Sequence, residues 1–143
     1  MSSPLQQGRI VWVELLDPQG RNPKRRPAVV LTPTAEIRDD GEVVVAALSS
    51  QIDQSPPEVS VEVPWHRDGH PRTKLNKRNV VVCNWLVALP VASVQPGDIG
   101  GTVPFAQMAR VLEIVRSLGS EVEPPAPEPS APEPEPPKPD TNA

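Results

Sequence analysis

The chain has 143 residues, enough for one folded domain and short for two. Nine of its 21 prolines lie between Pro124 and Pro139, in a segment with almost no apolar side chain larger than alanine. Such a segment cannot bury enough surface to offset its ordering entropy. We therefore expect a folded body over residues 1–119 and a disordered, Pro-rich acidic tail over residues 120–143.

The acidic tail hides the charge of the body. Residues 120–143 contain six acids and one base, a net charge of −5, whereas the whole chain carries −4, so the body carries +1. Nine of the body's 13 Lys and Arg fall in residues 20–26 and 66–78, which together contain one acid, Asp68. This segregation predicts a basic surface that binds a polyanion such as nucleic acid. The alternative is two well-solvated loops.

Other classes of protein are excluded by simple features. The single cysteine, Cys83, has no partner for a disulfide, and its apolar neighbours VVVCNWL predict a buried, unreactive thiol. The opening residues MSSPLQQGR lack the apolar core of a signal peptide, and no apolar run reaches the ~18 residues of a membrane span. We therefore expect a cytoplasmic protein with no membrane partner.

Short apolar or alternating segments predict five strands along the body. Between the first two, DPQGRNPK has the Pro, Gly and Asn of a loop. In EVSVEV, alternation predicts that Val59, Val61 and Val63 face the core. The predicted strands cover residues 8–16, 27–33, 42–50, 58–63 and 79–89.

One helix is predicted near the end of the body, in TVPFAQMARVLEIVRSLG. Thr102 is its candidate cap, Pro104 lies in its first turn and Gly119 is its candidate stop. Short strands followed by one helix predict a mainly β fold, a small curved β-barrel with a C-terminal helix packed on it. The predicted apolar face of the helix has residues at helical spacing: Phe105, Met108, Leu112 and Val115.

No metal site or cofactor is predicted. His66 and His70 lie four residues apart, but Gly69 and Pro71 place them in a loop, so they do not share one face of a helix. Only one acid, Asp68, accompanies them. A Gly-rich phosphate loop is also missing, and no cluster of Ser, His and an acid is visible from spacing.

Two polar residues stand at the ends of predicted strands. Arg26 precedes Pro27 at the start of one strand, and Ser49 ends the next. A guanidinium and a hydroxyl are suitable donors to a phosphate. The two residues would meet only if the register of the antiparallel pair brings these strand ends together.

The succession GRIVWVELLDPQGRNPKRRPAVVLT, VVVAALSSQI, VVVCNWL and a closing helix ending in SLG resembles the MazF/PemK family of toxins from type II toxin–antitoxin systems. The resemblance covers about residues 8–119. It implies a homodimeric, SH3-like barrel that cleaves single-stranded RNA without a metal. In the family, the 2′-hydroxyl attacks phosphorus and leaves a 2′,3′-cyclic phosphate, and a cognate antitoxin is the partner.

The resemblance also implies roles for individual residues. The catalytic Arg of the family falls on Arg26, and its catalytic Thr falls on Ser49. The long apolar run NVVVCNWLVALPV, with Trp85 as an anchor, predicts the dimer interface. The two basic segments would line the RNA groove, with these candidate RNA-binding residues: Arg21, Lys24, Arg25, Arg72, Lys74, Lys77 and Arg78.

The chain departs from the family pattern at several positions. Residues 21–23 contain no carboxylate, where many members carry an acid, and residues 84–85 and 87–88 replace a common Glu-Gln and Arg-Thr. No general base is identifiable, because arginine, with a pKa above ~12, is a poor one. Two functions therefore stay open: a ribonuclease toxin, or a relative that binds nucleic acid or a partner protein without cutting. A gyrase-poisoning toxin of the same fold is disfavoured, because that activity resides in C-terminal aromatic and small residues, whereas this chain ends in a tail rich in Pro and Glu.

Overall fold

A computed structural model describes residues 5–17, 19–51 and 56–122. These residues form six strands, one α-helix and several short 3₁₀ helices, so the predicted mainly β fold with a C-terminal helix is confirmed. Residues 123–143, most of the predicted tail, lie outside the described residues. The elements are β1 (Arg9–Leu15), β2 (Lys24–Val30), β3 (Glu42–Ser49), β4 (Ser60–Val63), β5 (Asn79–Pro90), β6 (Ile99–Thr102) and α1 (Phe105–Val122).

The strands form a single curled sheet, a half-barrel, in the order β4-β5-β3-β2-β1-β6 with antiparallel neighbours. The segment between β4 and β5 approaches the β6 edge, where the Thr102 amide donates to the Arg72 carbonyl at 2.8 Å. Gly101 lies so close to the backbone of Arg72 and Thr73 that a Cβ at this position would overlap them. A glycine is therefore required where β6 meets this segment.

The core consists of two apolar clusters on the two faces of the sheet, because side chains alternate along each strand. On β1, Ile10 belongs to the cluster that α1 covers, and Val11 belongs to the other. Met108 and Val111 of α1 pack into the first cluster. The expected inward positions Val59, Val61 and Val63 are all buried.

Strand β2 begins earlier than predicted. It starts at Lys24 instead of Pro27, and Lys24, Arg25 and Arg26 pair with the end of β1. The three cations are therefore strand residues, and their assignment to a loop was wrong. Pro27 lies inside the strand, opposite Trp12. It is tolerated there because β3 pairs with β2 only from Ala28 onwards, so the missing N–H removes no bond to that neighbour.

Helix α1 also differs from the prediction. It continues to Val122, three residues beyond the predicted stop at Gly119. Thr102 is the last residue of β6 and does not cap the helix. Phe105 was predicted on the buried face but is 85% exposed, because the buried stripe begins one turn later at Met108. No helix among the described residues is long and apolar enough to cross a membrane.

Candidate active site

The strand register brings Arg26 and Ser49 together. Ala28 of β2 pairs with Ala47 of β3, and continuing this antiparallel register by two residues sets Arg26 opposite Ser49. Since two residues is one period of a strand, both side chains lie on the same face of the sheet. Both residues line the same two neighbouring cavities, which also share Lys24 and Gln51.

The Arg26 guanidinium is held by neutral groups. Its Nη2 donates to the Asn22 carbonyl at 3.3 Å, and its Nε donates to the Leu15 carbonyl at 3.5 Å. Its central carbon lies 5.2 Å from the centroid of the Trp85 ring. Within the part of the chain that the structure describes, Arg26 makes no ion pair. Its positive charge is therefore available to an anion entering either cavity.

The Ser49 hydroxyl is fixed at the end of β3. Its oxygen accepts a hydrogen bond from the Gln51 amide at 3.0 Å, which turns the chain away from the strand. A hydroxyl that accepts one bond still has its own hydrogen to donate. Ser49 can therefore donate to a phosphate oxygen held by Arg26.

A large bulge in β5 brings two further side chains to the site. Ala46 pairs with Leu86, but Leu48 pairs with Val81, so Ala47 alone faces residues 82–85. This irregularity directs Asn84 and Trp85 into the larger cavity, which has a volume of about 580 Å³. The predicted role of Trp85 as an interface anchor was based on its hydrophobicity; the structure shows it against Arg26.

The loop between β1 and β2 contributes a carboxylate. Asp17 Oδ1 accepts from the Arg21 and Gln19 amides at 2.8 and 3.1 Å, and Oδ2 accepts from Asn22 Nδ2 at 2.7 Å. These bonds, the one from the Arg21 amide above all, hold the pKa of Asp17 below its ordinary value. Asn22, at φ +55°, presents its carbonyl to Arg26, so the carboxylate supports Arg26 through Asn22.

Asp17 was missed in the sequence, where only residues 21–23 were considered for an acid. The signal that could have found it is the turn DPQG, in which an Asp at the first position accepts bonds from the amides that follow. Because Asp17 lines the larger cavity with Arg26 and Ser49, the site does contain a carboxylate.

Three of the seven candidate RNA-binding residues lie at this site. Lys24 lines both cavities, while Arg25 and Lys77 line the smaller one, whose volume is about 120 Å³. Arg25 also pairs with Asp98 at 2.8 Å. Hydrogen bonds from the Gln95 amide and from Arg25 lower the pKa of Asp98, so this acid is ionised.

The other four candidates lie elsewhere. Arg78 makes a bidentate ion pair with Glu62, with hydrogen bonds of 2.6 and 3.1 Å. Arg72 lines a separate cavity beside α1. Arg21 and Lys74 are exposed loop residues outside both site cavities.

Other groups considered for chemistry have structural roles. The His66 and His70 rings accept backbone amides of their own loop, those of Asp68 at 3.1 Å and Arg72 at 3.0 Å. Cys83 is fully buried, and burial raises the pKa of its thiol to about 11. In residues 5–17, 19–51 and 56–122, no three His, Cys, Asp or Glu side chains are grouped as metal ligands.

Several solved structures have a similar fold. A MazF from Deinococcus radiodurans superposes with a TM-score of 0.62 at 25% identity, over 80% of this chain and 96% of that one. An endoribonuclease from a mycobacterial species superposes with a TM-score of 0.56 at 19% identity, over 83% of this chain and 94% of that one. The Mycobacterium tuberculosis toxin MazF-mt6 superposes with a TM-score of 0.55 at 20% identity, over 78% of this chain and 97% of that one. No curated protein matches the sequence.

The family model for the PemK-like, MazF-like toxins of type II toxin–antitoxin systems matches residues 6–118. The match includes all six strands and most of α1. The chain belongs to the MazF/PemK toxin family of type II toxin–antitoxin systems.

Proposed function

We propose that this protein is a toxin that cleaves single-stranded RNA without a metal ion. The observation that supports this most directly is that Arg26 of β2 and Ser49 of β3, opposite each other when the register of the two strands is continued, line the same two cavities. Their side chains line two cavities together with Lys24. A cation without an ionic partner beside a hydroxyl donor suits a phosphodiester, whose charge rises during reaction.

The proposed reaction takes place at phosphorus. The 2′-oxygen of the substrate forms a bond to phosphorus while the bond to the 5′-oxygen breaks, giving a 2′,3′-cyclic phosphate and a 5′-hydroxyl. Arg26 stabilises the charge on the phosphorane oxygens, and Ser49 donates to a nonbridging oxygen. The 2′-hydroxyl loses a proton, which the Asp17 carboxylate can accept, and the Lys24 ammonium can give a proton to the leaving 5′-oxygen.

The test uses full-length protein and an end-labelled RNA of mixed sequence, with and without EDTA. We expect cleavage in both conditions, with cyclic phosphate ends. Arg26→Ala and Ser49→Ala should each reduce the rate about 100-fold or more, by analogy with the loss of one oxyanion donor. Arg67→Ala is the matched control, because Arg67 is exposed and lines neither cavity. Cleavage that requires a metal, or that survives Arg26→Ala unchanged, would contradict the proposal.

A second candidate is a relative that binds RNA without cutting it. The lowered pKa of Asp17 favours this candidate, because a carboxylate that prefers its ionised form is a weak proton acceptor. One experiment distinguishes the two functions, an assay of RNA binding and cleavage between pH 5 and 9. Binding with no cleavage over this range would support the binder and contradict the ribonuclease.

We also propose a cognate antitoxin, a homodimer and a cytoplasmic location, where RNA is found. Related structures include MazE–MazF from Deinococcus radiodurans and a mycobacterial endoribonuclease in complex with its cognate antitoxin. Val44 and Leu86 are large apolar residues, 39% and 44% exposed, on paired strands β3 and β5. This outward apolar surface supports contact between two copies of the chain.

A further inference from the structure

The two cavities at the Arg26–Ser49 pair differ in chemistry. They share four residues, which places the pair between them: Lys24, Arg26, Ser49 and Gln51. We call the larger cavity the amide pocket, because its own lining residues include the amides of Gln19, Asn22 and Asn84. We call the smaller one the cationic cavity.

Charge distinguishes the two cavities. Among the described residues, four cations line the cationic cavity, namely Lys24, Arg25, Arg26 and Lys77, and no acid does. Because Asp98 pairs with Arg25 from outside the cavity, the positive charge of the cavity comes mainly from the other three cations. Of the described residues, only the two shared cations line the amide pocket, which also contains the ionised Asp17 carboxylate. A phosphate is therefore favoured in the cationic cavity and disfavoured by repulsion beside Asp17.

Hydrogen-bonding groups and flat surfaces favour a base in the amide pocket. An amide side chain offers both donors and acceptors, as the edge of a nucleobase does. The planar Arg26 guanidinium lies over the Trp85 ring, with its central carbon 5.2 Å from the ring centroid, and both groups line this pocket. Aromatic rings and guanidinium planes are the surfaces on which proteins stack unpaired RNA bases.

Asn84 is the amide best placed to read a base. The bulge in β5 carries it into the pocket next to Trp85, and its side chain is exposed. Among the hydrogen bonds of the described residues, none occupies the Asn84 side chain, whereas the Asn22 side chain is engaged by Asp17. Asn84 is thus available to a ligand, and Asn22 is a structural residue of the loop.

We propose that the amide pocket binds and reads the base of one nucleotide adjoining the phosphate held by Arg26 and Ser49, with Asn84 as the reading residue. The cationic cavity binds the next phosphate of the strand through Lys77. This inference rests on the proposed RNA binding, but not on cleavage.

The experiment separates reading from phosphate binding. Full-length protein is titrated by fluorescence anisotropy with short oligonucleotides that differ in one base, each with 2′-deoxy sugars so that none can be cleaved by 2′-oxygen attack. The unaltered protein should bind the four oligonucleotides with affinities that differ by about fivefold or more. Asn84→Ala should reduce this difference to less than twofold and leave the salt dependence unchanged.

Lys77→Gln should act in the opposite way. It should weaken the binding of all four oligonucleotides equally, and it should reduce the slope of log affinity against log salt by about 0.7. Asn76→Ala is the matched amide control, since Asn76 lines the cationic cavity, and Lys74→Gln is the matched cation control outside both cavities. Both controls should preserve the base preference, and Lys74→Gln should also preserve the slope.

The outcomes distinguish this inference from the proposed function. A base preference that survives Asn84→Ala, or that Asn76→Ala also removes, would overturn the inference while leaving RNA binding intact. No base preference in the unaltered protein would overturn it as well, and so would no binding to any of the four oligonucleotides. The proposed cleavage is contradicted only by the separate assay on ordinary RNA, because the oligonucleotides lack the 2′-hydroxyl. Loss of the base preference in Asn84→Ala, together with a reduced salt slope in Lys77→Gln, would support the inference even if ordinary RNA were never cleaved.

Discussion

The guanidinium of Arg26 on β2 lies 5.2 Å from the ring centroid of Trp85 on β5, across the intervening strand β3. The bulge opposite Ala47 makes this contact possible. A cation over an indole contributes about 0.5–1 kcal/mol at a partly exposed site. We therefore treat Trp85 as a residue that positions Arg26.

Replacing Trp85 should affect cleavage through Arg26. Trp85→Leu should lower kcat about two- to fivefold, the equivalent of the cation–π energy, whereas Trp85→Phe should retain most of it because a ring remains. Single-turnover cleavage measures the effect. Trp65→Leu is the control, because Trp65 is 42% exposed and lines neither site cavity. Equal losses in the Leu and Phe variants would contradict the ring's role.

Removing the Asp17 carboxylate should release the loop that supports Arg26. Asp17→Ala loses the bonds to the Gln19 and Arg21 amides and to Asn22, and it also loses the proton acceptor proposed for the 2′-hydroxyl. We therefore expect kcat to fall by about 100-fold or more. Asn22→Ala should have a smaller effect, because the Asn22 backbone carbonyl still accepts from Arg26. An Asp17→Ala variant as active as the unaltered protein would contradict this support.

The same network predicts a direction of pH dependence. The pKa of Asp17 is lowered on folding, so its contribution to stability is complete above its ordinary value of 3.8 and is lost as the pH falls through the folded pKa. Asp17→Asn should therefore be less stable than the unaltered protein above about pH 4, and this difference in the free energy of unfolding should shrink as the pH falls below that value. Chemical denaturation at several pH values measures this.

Gly101 should tolerate no side chain. Gly101→Ala would force a Cβ against the Arg72 carbonyl and the Thr73 backbone, so we expect a loss of about 2 kcal/mol or more and a fall in Tm of about 8 °C or more. Gly97→Ala is the matched control, because nothing lies within 4 Å of a Cβ built there. Calorimetry that shows the same Tm for both variants would contradict the close approach of β6.

The proposed dimer should depend on the outward apolar face of β3 and β5. Leu86→Arg puts a charge on that face and should convert the dimer to a monomer at micromolar concentration. Leu16→Arg is the control, since Leu16 is similarly exposed, at 49%, in the β1–β2 loop. Sedimentation equilibrium of both variants and the unaltered protein provides the measurement, and a monomeric unaltered protein would contradict the dimer.

RNA affinity should depend on salt and on the tail. If three or more cations at the site bind phosphates, the logarithm of affinity should fall with the logarithm of salt with a slope of about −2 or steeper. Deleting residues 123–143 removes a net charge of −4 and leaves the whole of α1 in place. If the tail shields the site, deletion should tighten binding at low salt and have little effect at 1 M, where the Debye length is ~3 Å.

Identical titrations of the full-length and shortened proteins would remove the shielding role of the tail. A flat salt dependence would instead contradict the basic site itself. Lys77→Gln in the shortened protein separates the two cases, because it should reduce the salt slope whether or not the tail is present.

The sequence by itself determined the local elements of this protein. Apolar runs and alternation predicted five of the six strands and the buried valines of β4, since a half-buried strand needs a period of two. They did not predict the short Gly-containing strand β6. Helical spacing set α1, although the exposed Phe105 and the end at Val122 show that spacing does not say how far the sheet extends beneath a helix. The family resemblance assigned Arg26 and Ser49 their expected roles.

Only the tertiary structure decided which side chains surround that pair. Asn84 and Trp85 reach the site because the register of β5 shifts beside Ala47, and Asp17 reaches it because its loop folds back on itself. Register and loop closure depend on pairing between segments far apart in the chain, which no local pattern of residues specifies. For the same reason Lys24, Arg25 and Lys77 gather at the site while Arg72 and Arg78 do not, although all five belong to equally basic stretches of sequence.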